Sequence, residues 1–388
     1  MQNNQITLID DDEIVPLDQQ ESEEDLHLKK ELIKQSVMFN TDWTVETLFR
    51  QIDKGNIDLD PKFQRRDAWD LTRKSKLIES IICGFPIPNV VLAEHQSSKG
   101  KYLVIDGKQR LSSIASFLRD EFALSGLQIL ENLNGKKFSQ IVANFQEEAN
   151  TVENQTIRTV IIRNWPDEDY LYTVFYRLNS GSLPLSSQEL RKALHGGRLL
   201  DYLDDFIRNS DAYKLVFGGK IDRRMRDVEL ALRFISFDRF YKSYQGDLKK
   251  FLDESVIYYD KYWDTNQAIL DDDLAKFDNA LITTHEIFGS DSFKKWNGEN
   301  FERRINRAVF DTIARYFGEH DIRTAAIANR DAIIMQFKDL CQNNEEFKNA
   351  IERTTKTPAA TKVRYRLWGE RLARILGLQL NSLEMRLF

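Results

Sequence analysis

The stretch YLVIDGKQRLSSIASFL, residues 102–118, constrains the fold of this chain more than any other feature. Its first four residues are apolar and include an aromatic and two β-branched side chains, which predicts a buried strand. Leu111, Ile114 and Leu118 then recur at helical spacing, so a helix follows the strand almost at once. A strand that turns directly into a helix is a unit of α/β folds, and it leaves the N-terminus of the helix at the edge of a sheet.

Five residues join this strand to this helix: Asp106, Gly107, Lys108, Gln109 and Arg110. The first N–H groups of a helix have no partner inside it, so they can bind an anion, and a glycine lets the backbone approach that anion closely. Arg110 can grip a phosphate with two hydrogen bonds, Lys108 adds charge, and Asp106 can hold Mg²⁺ or orient a water. In the structural alternative, Asp106 caps the helix, Gly107 makes a turn and the two cations are solvated. The spacing alone favours this alternative, because one glycine is a weak motif.

The surrounding motifs resemble the domain at the N-terminus of GmrSD-type modification-dependent restriction enzymes and of related phage-defence proteins. The family motif DGQQR corresponds to DGKQR at residues 106–110, with Lys108 in place of the usual glutamine. Further motifs of the family lie upstream and downstream of it: FQRR at 63–66, Trp69, SIICGFPIP at 80–88, RLNSG at 177–181, PLS at 184–186 and ELR at 189–191. Their order and spacing resemble the family from about residue 40 to residue 235.

The resemblance implies a fold similar to those of ParB and sulfiredoxin, and a motif that binds and hydrolyses a nucleoside triphosphate. Gly107 and the helix N-terminus would then hold the phosphates, while Arg110 and Arg65 stabilise charge on the transferred phosphoryl group. Asp106 would hold Mg²⁺ or orient water, and Gln109 would position the attacking water or a phosphate oxygen. The remaining nucleotide-binding candidates are Gln64, Lys108 and Asn179. From the residues alone, Arg65 can equally be a surface arginine and Asn179 a helix stop. The extra charge of Lys108 could change which nucleotide is used, or how fast.

The sequence divides into an acidic arm and two larger regions. Residues 1–28 contain nine Asp or Glu and no Lys or Arg, which predicts a flexible arm over residues 1–30. Strands and helices alternate after the arm, and residues 40–195 form the ParB/sulfiredoxin-like α/β domain that the resemblance implies. From residue 198 to residue 388, apolar residues recur at helical spacing, which predicts an α-helical domain. The fold class is therefore α+β, with a helical domain after the α/β domain.

Three local features are predicted outside the motif. Pro166 begins a helix that carries Asp167 in its first turn. Ser186 and Glu189, three residues apart, form a capping box for the next helix. Ile305 begins the apolar stripe of one of the C-terminal helices.

The charge distribution permits nucleic-acid binding without requiring it. The formal net charge is −6, but outside the acidic arm 55 basic residues face 52 acidic ones. Three basic clusters lie in the C-terminal region: Arg223-Arg224-Arg226, Arg303-Arg304-Arg307 and the stretch from Lys362 to Arg374. They can contact DNA phosphates, or they can be solvated helix faces.

Several classes of protein do not fit the sequence. No apolar run approaches the roughly 18 residues that a membrane-spanning helix needs, and the start of the chain lacks the charge and apolar core of a signal peptide. Two distant cysteines, Cys83 and Cys341, fit a reducing cytoplasm rather than a disulfide framework or a metal site. Walker A, G-x-S-x-G, zinc and HNH nuclease patterns are absent from the sequence, so a separate subunit would have to cut nucleic acid.

Together these features and the resemblance predict a cytoplasmic protein that binds and hydrolyses a nucleoside triphosphate with Mg²⁺, and the resemblance implies a role in a phage-defence or modification-dependent restriction system. Its expected partners are the nucleotide, DNA at the basic clusters, and a separate nuclease or effector subunit. One alternative is a DNA-binding regulatory or adaptor subunit with a non-hydrolysing nucleotide site, which Lys108 and the missing nuclease favour. Another is a protein-interaction subunit that docks a partner through the acidic arm.

Overall fold

The computed structural model describes residues 36–59, 69–178, 186–219, 222, 224–353 and 355–378. The chain divides into two compact units, and the division falls between Leu194 and His195. The acidic arm at residues 1–30 and the predicted site residues Gln64, Arg65 and Asn179 lie outside the described residues.

The N-terminal unit is built on a five-stranded mixed sheet with the strand order β1-β5-β3-β4-β2. Its strands are β1 (Val37–Thr44), β2 (Ile57–Asp58), β3 (Val90–Glu94), β4 (Tyr102–Asp106) and β5 (Thr156–Arg163). β1 pairs antiparallel with β5, and β3 with β4, whereas β3 runs parallel to β5 and β2 runs parallel to β4. Because β3 and β4 are antiparallel, the start of β3 lies beside the end of β4, where the DGKQR motif begins.

Helices cover both faces of this sheet. They are α1 (Val45–Asp53), α2 (Leu71–Ile82), α3 (Lys108–Leu118), α4 (Phe138–Asn144), α5 (Gln146–Asn154), α6 (Glu168–Leu178) and α7 (Ser187–His195). Val90 and Leu92 belong to one buried cluster with residues of α1 to α5, whereas Val91 and Ala93 belong to another with residues of α6 and α7. Since both faces are buried, β3 and β4 appear in the sequence as continuous apolar runs, and the strand predicted at the start of the 102–118 stretch is confirmed as β4.

β1 was not predicted from the sequence. Its outward-facing residues include Asn40 and Asp42, and these polar residues interrupt the apolar pattern. Phe39 and Trp43 pack against the core on the other face of the strand. A strand with one partly buried face alternates weakly over so few residues, so the pattern around Trp43 does not separate the strand from the helix that follows it.

Side-chain caps set the starts of α6 and α7. The prediction that Pro166 begins a helix was wrong by a short distance: α6 begins at Glu168, because the carboxylate of Asp167 accepts a hydrogen bond of 2.9 Å from the N–H of Tyr170 and caps the helix from outside. The predicted capping box of α7 is confirmed. Ser186 Oγ accepts from the N–H of Glu189, and the Glu189 carboxylate accepts from the N–H of Ser186.

The C-terminal unit is mainly helical. Its helices are α8 (Arg198–Asn209), α9 (Asp211–Phe217), α10 (Arg226–Phe240), α11 (Leu248–Lys261), α12 (Trp263–Phe288), α13 (Arg307–Phe317), α14 (His320–Ala328), α15 (Arg330–Asn343), α16 (Glu345–Glu352) and α17 (Pro358–Leu376). The prediction of an α+β region followed by a helical one is confirmed. Among the described helices, none is both long enough and apolar enough to cross a membrane.

A two-stranded antiparallel hairpin, β6 (Lys294–Trp296) with β7 (Phe301–Ile305), interrupts these helices. The prediction that Ile305 begins a helical stripe was wrong, because Ile305 ends β7 and pairs with Lys294. Asn306 then caps α13 by accepting a hydrogen bond from the N–H of Val309. Strands of three and five residues offer too few alternations to be recognised from sequence.

Charged side chains lie inside the C-terminal unit. Asp311 and Arg233 are both fully buried, and two hydrogen bonds join the carboxylate to the guanidinium. Arg364, also buried, approaches the same carboxylate at 3.5 Å and donates a hydrogen bond to the carbonyl oxygen of Thr355. Although burial opposes ionisation, the Asp311 carboxylate raises the pKa of Arg233 above its usual value. One carboxylate thus links α10, α13 and α17 through two buried arginines.

Candidate functional site

Gly107 connects β4 to α3 in a left-handed backbone conformation, with φ of 96°. It occupies the N-cap position of α3, and as a glycine it has no side chain to cap the first turn. The first N–H groups of α3 therefore keep their hydrogen-bonding capacity for a ligand. A Cβ atom at this position would lie only 2.9 Å from Cγ2 of Val90. Both the backbone conformation and the close approach of Val90 require glycine here.

Asp106 and Arg110 form an ion pair at the start of α3. Nη2 of Arg110 lies 3.0 Å from Oδ2 of Asp106, and it donates a second hydrogen bond of 2.9 Å to the carbonyl oxygen of Asn89. The Arg110 side chain is 13% exposed and that of Asp106 is 30% exposed. Since Asn89 precedes β3 and Asp106 ends β4, the guanidinium joins two strand ends and fixes the carboxylate between them. Arg110 is therefore a paired side chain rather than a solvated cation.

Two polar atoms of the motif are buried and have no hydrogen-bond partner within the described part of the chain: Oε1 of Gln109 and Nε of Arg110. Most buried polar atoms in folded proteins are hydrogen-bonded, and leaving one unsatisfied costs about 1–3 kcal/mol. Oε1 of Gln109 accepts hydrogen bonds, so a water or hydroxyl group satisfies it. Nε of Arg110 donates one, so an anionic oxygen satisfies it. The motif thus holds one buried acceptor and one buried donor that no described group satisfies.

The structure brings Asp106, Gly107, Gln109 and Arg110 together at one edge of the sheet. Lys108, the first residue of α3, follows Gly107 directly and is partly buried. Gly107 makes the turn between β4 and α3 that the structural alternative predicted. The same residue leaves the first N–H groups of α3 without a side-chain cap.

Sequence reasoning did not identify Asn89 and Val90 as part of the site. Asn89 contributes a backbone carbonyl and Val90 a methyl group, so neither side chain carries chemistry that a motif search would notice. One clue was present in the sequence. Only residues 95–101 separate β3 from β4, and a loop this short indicates a hairpin, which places the first residues of one strand beside the last residues of the other.

The site contains groups that suit a phosphate and a divalent cation. Of the two carboxylate oxygens of Asp106, Oδ2 is bonded to Arg110, and no described residue bonds Oδ1. Mg²⁺ in nucleotide sites is commonly held by one or two carboxylates together with phosphate oxygens. A partly exposed carboxylate with one available oxygen, next to an open helix N-terminus, fits this requirement.

The basic clusters of the C-terminal unit are largely paired with carboxylates of the same unit. The pairs are Arg226 with Asp222, Arg307 with Glu229, Arg364 with Asp311, Arg366 with Glu370, and Arg371 with Asp339. Arg223 lies outside the described residues, whereas Arg303 and Arg374 are exposed. Pairing compensates these charges locally, so less positive charge is left to attract DNA phosphates than the sequence suggested.

Comparison with known proteins bears on the N-terminal unit. No curated protein and no solved structure matches the chain. One family model, described as the GmrSD restriction endonuclease, N-terminal domain, matches residues 45–196. The match begins at the first residue of α1, so it includes the site but leaves out β1. Residues 45–196 are therefore similar to the GmrSD restriction endonuclease N-terminal domain family, as the order of the sequence motifs predicted.

Proposed function

We propose that this protein is the nucleotide-binding component of a restriction or phage-defence system, and that it binds and hydrolyses a nucleoside triphosphate at the start of α3. The geometry at Gly107 carries the proposal, because an open helix N-terminus lies there beside a fixed carboxylate and a mostly buried guanidinium. Helix N-termini favour phosphates through both their N–H groups and their dipole. The family match supports the assignment to a restriction system.

The motif residues have separate roles in the proposed reaction. The first N–H groups of α3 hold phosphate oxygens, and Gly107 lets those oxygens approach the backbone. Asp106 would hold Mg²⁺, which when bound neutralises charge on the phosphates. Oε1 of Gln109 can accept a hydrogen bond from the attacking water. Arg110 holds the Asp106 carboxylate in position, and its unsatisfied Nε would donate a hydrogen bond to an anionic oxygen.

Phosphate release from ATP, GTP, CTP and UTP, measured with Mg²⁺ in the presence and absence of DNA, tests the proposal. We expect Asp106→Ala to lower turnover at least about 100-fold, since it removes the group that holds the metal or orients water. Binding of the same nucleotides, measured by titration calorimetry, separates loss of binding from loss of turnover. A folded Asp106→Ala protein with full turnover would refute the proposed reaction.

Arg119 at the other end of α3 provides a matched control for Arg110. It is the C-cap residue of α3 and pairs with Asp53 at 3.4 Å in an exposed contact, so Arg119→Ala removes an arginine from the far end of the helix without touching the site. We expect Arg119→Ala to keep wild-type turnover and Arg110→Ala to lose it. Equal turnover in the two variants would contradict the role of Arg110.

The ion pair also favours a second candidate, a regulatory protein that binds the nucleotide without hydrolysing it. The Asp106 carboxylate is already neutralised by Arg110 at 3.0 Å, which makes it a weaker ligand for a cation. Calorimetric binding without phosphate release, lost in Arg110→Ala and kept in Arg119→Ala, would identify this function.

A further inference from the structure

β1 is an edge strand, and within the described part of the chain nothing gives it the usual protection of an exposed edge. Its eight residues pair with β5 along their whole length without a register shift. No other described strand pairs with its outer side. Natural proteins commonly protect such edges with lysine, proline or a bulge, because free N–H and C=O groups bind another strand. The sequence VMFNTDWT contains neither lysine nor proline, and the regular pairing shows no bulge.

The side chains of β1 also leave apolar surface open. Val37 is 49% exposed and Met38 is 62% exposed. Asp42 is the only charged residue of the strand, and its carboxylate lies 3.4 Å from Nε of Arg158 on β5. Because this ion pair is solvent-exposed and weak, the carboxylate can still interact with a side chain on a facing strand.

We propose that two copies of this chain pair through β1, antiparallel about a two-fold axis, so that one sheet continues across the dimer. An axis perpendicular to the sheet places residues of the same face opposite each other. The register with Thr41 opposite Thr41 of the second copy brings Phe39 opposite Trp43 and Asn40 opposite Asp42. These are an aromatic cross-strand pair and an amide–carboxylate pair, and both stabilise antiparallel strands.

The side chains of β1 are complementary to those of a second copy, which favours a second copy as the occupant of this edge. In this register no two like charges face each other, and each Asp42 carboxylate meets a neutral hydrogen-bond donor on Asn40. β1 lies before the segment that matches the family, so this proposal stands apart from the nucleotide site. A phosphate-rich partner such as DNA would instead meet the carboxylate of Asp42 at this edge.

Two variants at Asn40 test the proposed register, because that side chain is exposed and neither variant alters packing within one copy. Asn40→Asp places a carboxylate opposite Asp42 twice in each dimer, and Asn40→Lys places an ammonium group there. From the usual strength of two cross-strand charge pairs, we expect the dimer dissociation constant to rise between about 2-fold and 30-fold in Asn40→Asp and to fall by a similar factor in Asn40→Lys. High salt reduces both changes.

Sedimentation velocity of the full-length protein and both variants, over a range of concentrations, measures these constants. Hydrogen exchange of the Val37–Thr44 amides provides a second readout, since their protection must increase with concentration together with the dimer. A protein that stays monomeric at every concentration would overturn the proposal. So would a dimer whose dissociation constant is the same in both variants, or whose formation leaves exchange in β1 unchanged.

Discussion

Replacing Gly107 by alanine tests how the site is held together. The alanine would have to keep φ near 96°, and its Cβ would lie 2.9 Å from Cγ2 and 3.4 Å from Cα of Val90. The left-handed conformation costs an L residue about 1–2 kcal/mol, and overpacking costs about 1–3 kcal/mol. The stiffer unfolded chain offsets about 0.4–1 kcal/mol of this. We therefore expect the free energy of unfolding to fall by about 2–4 kcal/mol.

The same substitution should also disturb the ion pair. The added carbon would lie 3.2 Å from Nη2 of Arg110, the nitrogen that bonds both Asp106 and Asn89. If the guanidinium moves, the carboxylate loses its fixed position and the helix N-terminus shifts with it. We expect nucleotide affinity to fall at least about tenfold, which corresponds to one lost hydrogen bond of about 1.4 kcal/mol.

Gly55 supplies the control for Gly107→Ala. It follows α1 with φ of 66°, and no heavy atom lies within 4 Å of an added Cβ. Gly55→Ala therefore carries the conformational cost without the crowding, and we expect a loss of about 1 kcal/mol with unchanged nucleotide binding. Urea unfolding followed by circular dichroism measures the stabilities, and titration calorimetry measures binding. Equal losses of stability in the two variants, or full nucleotide affinity in Gly107→Ala, would refute the reasoning.

Two further predictions concern buried groups of the C-terminal unit, the carboxylate of Asp311 and the thiol of Cys341. Asp311→Asn leaves Arg233 and Arg364 buried beside a neutral amide, so we expect the free energy of unfolding to fall by about 3–5 kcal/mol. A loss below about 1 kcal/mol, measured by urea unfolding, would contradict this prediction. Burial raises the pKa of the Cys341 thiol from 9.0 to about 12, so the folded state favours the protonated thiol over the thiolate. The resulting contribution to the free energy of unfolding is fully present below pH 9 and is lost as the pH rises toward 12. At pH 8 iodoacetamide should therefore label the partly exposed Cys83 well before Cys341, as peptide mass spectrometry would show, and rapid labelling of Cys341 in the folded protein would count against this burial.

The fold was predictable where local pattern and tertiary environment agree. β3, β4 and α3 have continuous or periodic apolar residues, because the sheet is buried on both faces. The capping box at Ser186 and Glu189 was predictable because it involves only neighbours in sequence. β1 and the β6–β7 hairpin were missed, since polar residues or short length hide their alternation and their pairing partners are distant in sequence.

The sequence by itself determined the strand–glycine–helix connection and the similarity of residues 45–196 to the family, because apolar periodicity, turn residues and motif order are properties of consecutive residues. Only the tertiary structure decided which groups those residues meet. The backbone of Asn89 accepts a hydrogen bond from Arg110, Val90 closes the space beside Gly107, and Asp311 pairs with an arginine 78 positions away. Sequence cannot specify such contacts, because they depend on how sheets and helices pack segments that are far apart along the chain.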